Sequence, residues 1–225
     1  MDPLAALGRS ALFGGVDEGD LGGLLDAGRR QRFTRGAYLF HEGDPGTRLY
    51  VLLSGQVKIS RLSRDGSEAV FALLTPGDVF GELALLDNGE RTSDAQAVEA
   101  TECLTIGREA LLDFVQARPQ LMRRLLELLS RHIRRKDDAF AEVSFLDIPG
   151  RVAQKLLELA ETHGQRADDG VRITVRLSQR ILAGMVGASR ENVNRALSRF
   201  AAAGAIRVEP AGITILRPEV LRRRA

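Results

Sequence analysis

Residues 178–201 read SQRILAGMVGASRENVNRALSRFA. Ser178 and Ser189 each stand in front of a run with helical apolar spacing. A short hydroxyl side chain there accepts from the orphan amides of a first helical turn, which makes both serines N-cap candidates. Gly187-Ala188 separates the two runs. The pattern predicts a helix from Ser178 to Met185 or Val186, a glycine turn, and a second helix through Ala203. That is the grammar of a helix-turn-helix. In the second helix Val193, Ala196, Leu197 and Phe200 supply the apolar face, leaving Arg190, Glu191, Asn194 and Arg195 near the outward face and the N-terminal end. Arginine bonds guanine O6 and N7 as a fork, and glutamate accepts from cytosine N4. A glutamate aimed at phosphates would be repelled, so its place points to base reading. The plainer reading, that Arg190 and Glu191 only solubilise a helix start, is the weaker one in a basic module.

Downstream, Ile206–Glu209 and Gly212–Leu216 read as two strands joined by Pro210-Ala211, the hairpin of a winged helix, and Arg222-Arg223-Arg224 as a mobile basic tail. Upstream, Ile173-Thr174-Val175 reads as a strand, Gly164 to Gly170 as a polar loop, Arg151 to Thr162 as an amphipathic helix, and Asp147-Ile148-Pro149-Gly150 as a hinge. Residues 121–146 contain neither glycine nor proline. Within them Met122, Leu126, Leu129, Ile133, Lys136, Phe140 and Val143 alternate at spacings of four and three, the seam of a coiled coil. A long helix with such a seam usually pairs with its own copy about a two-fold axis. Lys136 is the one charged residue in the seam, and a charge there is costly unless something pairs with it.

The N-terminal half has another texture. Residues 1–28 read as short helices and loops. From Gln31 to Ile106, short β runs are cut by turn signals at Gly36, Gly43, Asp44-Pro45-Gly46, Asp65-Gly66, Pro76-Gly77-Asp78 and Asn88-Gly89. Leu49–Leu53 and Val57–Leu62 are two runs joined by the tight turn Ser54-Gly55-Gln56; Ala69–Leu74 and Glu102–Ile106 are others. Many short strands of this kind predict an antiparallel sandwich or jelly roll. The expected architecture is α+β: a jelly-roll sensor over 1–117, a dimerisation helix over 118–146, and a winged helix-turn-helix over 147–225.

The net charge of +2 hides a polarity. Residues 1–117 carry 11 Lys and Arg against 18 Asp and Glu; residues 118–146 carry 7 against 4, and residues 147–225 carry 14 against 8. A basic C-terminal module on an acidic partner is the electrostatic footprint of a nucleic-acid binder. No apolar run approaches the roughly 20 residues of a membrane span, and the first residues lack a signal pattern, so the expected compartment is the cytoplasm. Cys103 is the single cysteine. It cannot form an internal disulfide or an all-cysteine iron–sulfur or zinc site within one chain. His41, His132 and His163 show no metal-ligand spacing, and no histidine is expected near the residues 80–93 discussed next, so neither metal nor haem is expected. No nucleophile–base pair supports an enzyme such as a cyclic-nucleotide hydrolase.

Residues 80–93 read FGELALLDNGERTS. Gly81 permits close backbone approach, Glu82 can accept a ribose hydroxyl, and Arg91 can neutralise a phosphate with two parallel bonds. Backbone amides near Leu83 and Thr92 can add an anion nest. Glu82 and Arg91 can equally be a plain ion pair. The stretch is similar to the phosphate-binding cassette of cyclic-nucleotide domains.

Two further stretches, FLDIPGRVAQ at 145–154 and LAGMVGASRENVNR at 182–195, resemble the CRP/FNR family of bacterial regulators, and the resemblance runs over almost the whole chain. It implies a homodimer that binds double-stranded DNA, cyclic AMP as effector, and RNA polymerase as a further partner through the loop from His163 to Gly170. It implies that Arg190, Glu191 and Arg195 read a TGTGA-type half-site, with Gln179 and Ser189 at backbone-contacting positions and Asn194 beside them. It assigns Gly81, Glu82, Leu83, Arg91, Thr92 and Ser93 to the effector. In enteric members two adjacent small hydroxyl residues on the dimer helix read the adenine; Lys136 and Asp137 stand there in this chain, and His132 replaces an arginine. Cyclic GMP or another anionic effector is therefore the alternative ligand. A nucleotide-sensing regulatory subunit without DNA contact is the alternative function.

Overall fold

The run Leu49-Tyr50-Val51-Leu52-Leu53 is apolar at every position, and a strand with no polar face must be covered on both sides. The computed structural model, which describes residues 2–209 and 212–225, shows how. It divides into two compact units, one of residues 1–61 and 71–134 and one of residues 62–70 and 135–225.

In the first unit, helices α1 (Pro3–Arg9) and α2 (Glu18–Asp26) precede strands β1 (Arg29–Phe33), β2 (Tyr38–Phe40), β3 (Arg48–Ser54), β4 (Val57–Leu62), β5 (Glu68–Leu74) and β6 (Val79–Phe80). A short helix α3 (Glu82–Leu86) follows, then β7 (Asp94–Ala97), β8 (Thr101–Gly107), helix α4 (Arg108–Gln116) and the long helix α5 (Pro119–Phe145). The strands form two antiparallel sheets, ordered β1-β8-β3-β6 and β2-β7-β4-β5. Side chains alternate across β3. Leu49, Val51 and Leu53 face a core shared with Leu7, Leu21, Leu111, Leu121, Leu125 and Leu128 of the helices and with Phe13 of the turn between α1 and α2. Tyr50 and Leu52 face the opposite way, into a second core with Phe40, Val57, Phe80, Ala95 and Cys103.

β3 and β4 are consecutive and joined at Gly55, whose φ of 86° suits glycine, yet they do not pair. β3 pairs with β8 and β6, while β4 pairs with β7. The tight turn expected at Ser54-Gly55-Gln56 is present, and it makes a corner at which the chain crosses from one sheet to the other. Such crossing between consecutive strands is what a jelly roll requires.

In the second unit, α6 (Ile148–His163) is followed by β9 (Gly164–Ala167), β10 (Gly170–Ile173), α7 (Gln179–Val186), α8 (Arg190–Ala202), β11 (Ile206–Glu209), β12 (Gly212–Ile215) and α9 (Pro218–Arg222). The sheet order is β11-β12-β10-β9. The Pro210-Ala211 link between β11 and β12 lies outside the described residues. Three expectations change here and one is extended. Gly164–Gly170 is no loop: β9 pairs with β10 over Gly164–Ala167, although every β9 residue is exposed. β10 ends at Ile173, so Thr174 and Val175 lie past the strand. Asp147-Ile148-Pro149-Gly150, foreseen as the hinge that ends the long helix, also starts the next one: Asp147 is the N-cap of α6, accepting from the Gly150 amide at 2.8 Å, with Ile148-Pro149-Gly150 as its first turn. Proline suits that turn because its missing N–H would have no helical partner there. The basic tail is partly ordered as α9, with Leu221 fully buried and Arg224 3.7 Å from Asp147.

The long α5 has two apolar faces. Leu121, Leu125 and Leu128 are buried in the first core. Met122, Leu126, Ile133, Phe140 and Val143 are exposed, Phe140 to 76%. Leu129, expected in the exposed seam, is half-buried and packs against the first core. No helix among the described residues is long and apolar enough to cross a membrane.

Cys103 sits in the second core with its thiol pushed up to about 12 by burial and, secondarily, by the charge of Glu102. At pH 8 the thiolate fraction is about one part in ten thousand. Native protein is expected to resist a thiol-titrating reagent at pH 8 and to react with one equivalent once unfolded in guanidinium; rapid reaction of the native protein would contradict the buried placement.

Candidate functional site

Arg91 decides what the cassette can do. It is 4% exposed, and its guanidinium lies 4.3 Å from the Phe40 ring centroid and 5.7 Å from that of Tyr50. Tyr50 in turn stacks on Phe80 at 5.2 Å. These rings come from β2, β3 and β6, so the two-sheet core itself builds the bed. One Arg91 amino group donates to the Gly81 carbonyl at 2.7 Å and the other to the Arg48 carbonyl at 2.7 Å. Its buried Nε has no hydrogen-bond partner. Burial pushes the guanidinium below the usual arginine range, opposed by Tyr50, Glu82 and Asp44. Arginine nonetheless stays charged in proteins.

Glu82 is not the hydrogen-bonded partner of Arg91, so the plain ion-pair alternative does not hold. The carboxylate is buried at the start of α3, and its Oε1 lies 3.1 Å from His132 Nδ1 on α5. The expectation that no histidine lies near the cassette is thereby corrected: fifty residues of sequence hid a direct contact. Gly81 has φ 82°, and a Cβ there would stand 2.7 Å from an Arg91 nitrogen and 3.3 Å from the Arg48 carbonyl. Both the backbone conformation and the space exclude a side chain.

A charged group taken from water is expensive unless it is paired. Here a cation lies buried on aromatic rings, bonded to two neutral carbonyls, with its Nε–H unpartnered. Those features fit an anion such as a cyclic phosphodiester. Ser93 is buried beside the cassette, Leu83 is half-buried and Thr92 is exposed. The structure thus gathers Gly81, Glu82 and Arg91 and adds Phe40, Tyr50 and Arg48, which sequence reasoning did not assign, together with His132, which it had noted only as standing in place of an arginine. Lys136 and Asp137 are exposed on α5 in the second unit. Among the described residues no group of three His, Cys, Asp or Glu is arranged to hold a metal ion.

The second site is the helix pair. Ser178 caps α7 by accepting from the Ile181 amide at 3.2 Å, and Gly187 ends it in the left-handed conformation at φ 59°. Ser189 caps α8 by accepting from the Asn192 amide at 3.2 Å. Its hydroxyl hydrogen remains to donate outward. Val193, Ala196, Leu197 and Phe200 are buried, while Arg190, Glu191, Asn194 and Arg195 are exposed. Gln179 at the start of α7 donates to the Asn194 side chain at 3.1 Å, bringing two expected residues together across the turn. Arg195 is hydrogen-bonded to Asn192, a residue one helical turn earlier whose steadying role was not anticipated. On β11, Arg207 pairs with Asp169 of the β9–β10 turn and with Glu209, tying the far edges of the sheet together.

Comparison with known proteins agrees with this pairing of sites. Residues 30–118 match the cyclic nucleotide-binding domain family, and residues 150–224 match the Crp-like helix-turn-helix domain family. The chain is 41% identical over 219 residues to the CRP-like cAMP-activated global transcriptional regulator of Mycobacterium tuberculosis, covering 97% of this chain and 98% of that one. Among solved structures it is similar to the catabolite activator protein of Thermus thermophilus, at 35% identity and a TM-score of 0.56, over 96% of this chain and 98% of that one. It is also similar to the global regulator CLP of Xanthomonas campestris, described as responsive to c-di-GMP, at 25% identity and a TM-score of 0.76, over 88% of this chain and 99% of that one.

Proposed function

The chain belongs to the CRP/FNR family of transcription regulators, and on that premise we propose that it is a cAMP-switched homodimer that reads a TGTGA-type palindrome. The division of labour is a sensor over 1–117, a dimerisation helix over 118–146 and a DNA reader over 147–225. The observation that carries the effector reading is Arg91, a buried cation with an unused N–H and no carboxylate bonded to it. A cyclic nucleotide brings one negative phosphate, which Arg91 pairs, and a ribose hydroxyl, which Glu82 accepts. Gly81 allows the close approach, and Leu83, Thr92 and Ser93 complete the cassette. The relative's name supports cAMP as the nucleotide. The pair Lys136 and Asp137, in place of two hydroxyl residues, favours a second reading with cyclic GMP or another anionic effector. A lysine suits a carbonyl acceptor and a carboxylate suits ring N–H donors, both of which guanine offers.

For DNA, Arg190, Glu191 and Arg195 read bases, while Gln179, Ser189 and Asn194 hold the phosphate register. The exposed stripe on α5, with Leu126 at 58% and Ile133 at 61%, supports pairing with a second copy, since exposed apolar stripes of this kind mark interaction surfaces. The β9–β10 hairpin takes over the role foreseen for the loop at His163–Gly170, contact with RNA polymerase. The protein works where DNA is, in the cytoplasm.

Arg91→Leu removes the only cation in the cassette from Phe80 to Ala95. Calorimetry is expected to show cAMP affinity falling by about 30-fold or more, the scale for losing one partner of a buried charge pair, with circular dichroism unchanged. Binding at wild-type strength would overturn the cassette reading, and a titration in which cGMP binds and cAMP does not would select the second reading. Arg190→Ala is expected to cost about 1–3 kcal/mol on cognate DNA and far less on random duplex; equal losses on both would make Arg190 a phosphate contact. Leu126→Asp with Ile133→Asp leaves the buried face of α5 intact and is expected to yield folded monomers by light scattering. A persistent dimer would reject the seam.

A further inference from the structure

His132 belongs to the same compact unit as the cassette, since that unit takes in α5 as far as Arg134. Its Nδ1 lies 3.1 Å from Glu82 Oε1, the carboxylate side chain being 5% exposed and the imidazole 31%. A buried carboxylate is costly unless it is paired. Arg91 feels the charge of Glu82 but directs its two amino groups to the carbonyls of Gly81 and Arg48. The contact Glu82 does make is with a histidine, the side chain type whose charge changes between about pH 5 and 8.

The ring can meet the carboxylate in two forms. Neutral, it donates from Nδ1 and supplies a dipole. Protonated, it donates the same bond and adds a full positive charge, which roughly doubles the strength of the bond. The geometry serves both forms, so the proton changes the charge at the contact and not its place. Other charges around His132 oppose the proton. Arg131, Arg135 and Lys136 of α5 are cations, but they are exposed and water screens them. Arg91 opposes it from the far side of the shared carboxylate charge. The buried carboxylate in direct contact sets the sign.

We propose that His132 is the positioning residue for Glu82 and makes effector binding proton-linked: the cassette takes up a proton at His132 as it binds a cyclic nucleotide. This rests on the effector reading above. The nucleotide brings an anionic phosphate to Arg91, and an added anion favours the imidazolium. Its ribose hydroxyl covers Glu82, and the loss of water there strengthens the attraction between carboxylate and imidazolium. Bound nucleotide thus favours protonated His132, and by reciprocity protonated His132 favours bound nucleotide. Affinity is highest where the ring is protonated in both states and falls as pH rises through the range in which imidazole loses its proton. The unit would sense acidification and nucleotide together.

The measurement is calorimetry on the full chain with cAMP and with cGMP, from pH 6 to pH 8. Wild type is expected to bind about five-fold or more tightly at pH 6 than at pH 8, the lower end of ordinary coupling between sites. The slope stays under about tenfold per pH unit, the limit for one linked proton. Buffers of different protonation enthalpy should give different heats, by uptake of part of a proton. His132→Gln keeps an N–H donor without a titrating charge, and His132→Arg keeps a charge at every pH. Both are expected to lose the pH dependence and the proton uptake, His132→Gln binding near the wild-type strength at pH 8 and His132→Arg near that at pH 6. His41, 3.3 Å from Asp94 just past the cassette, is the other histidine of this unit, and His41→Gln is expected to keep the wild-type profile. A pH profile that survives in His132→Gln, or that vanishes in His41→Gln, overturns the proposal. So does a flat wild-type profile with tight binding, which leaves the effector reading standing. Failure of both nucleotides to bind at any pH overturns the effector reading and the proton linkage with it. Should His132→Gln fail to fold, His132→Arg and the wild-type proton count decide.

Discussion

A strand apolar on both faces has to be covered twice, and the sensor unit follows from that. Leu49, Val51 and Leu53 require the helices α1, α2, α4 and the start of α5 on one side; Tyr50 and Leu52 require a second sheet on the other. The same core supplies the aromatic floor on which Arg91 rests. An arginine buried in a purely aliphatic core would be driven out to water. Here ring faces and two carbonyls hold it in place while leaving it short of a counter-charge.

Helix α5 joins this unit to the rest of the chain by presenting different faces. One face completes the first core with Leu121, Leu125 and Leu128, and His132, one turn further on, reaches Glu82. The other keeps a stripe of Met122, Leu126, Ile133, Phe140 and Val143 that the chain alone does not bury. One helix thus carries both a cassette contact and an exposed apolar stripe, on different faces.

What was legible in the sequence was local. Ser178, Gly187 and Ser189 announce the two helices because caps and left-handed turns are matters of a few neighbouring residues. The apolar spacing of α8 fixes which side chains face out. What was hidden was pairing at a distance. Nothing near Gly55 says that β3 and β4 part into different sheets, and β9, exposed at every position, shows no alternation; only β10 makes it a strand. At the cassette, Gly81, Glu82 and Arg91 form one continuous motif. Their partners Phe40, Arg48, Tyr50 and His132 arrive from other elements and carry no motif of their own. The exposed seam was drawn one residue too wide at Leu129, because heptad spacing gives the phase of a helix and not the width of its free face.

Asp147 serves two masters. Its carboxylate caps α6 through the Gly150 amide and also faces Arg224, two residues past the end of α9. A side chain at Gly150 would collide with the Arg224 carbonyl at 2.8 Å. The stretch that follows α9 is therefore wedged against the first turn of α6. A fluorescent reporter attached beside Arg224 would press on that turn, and what it reported would partly be the strain of the attachment.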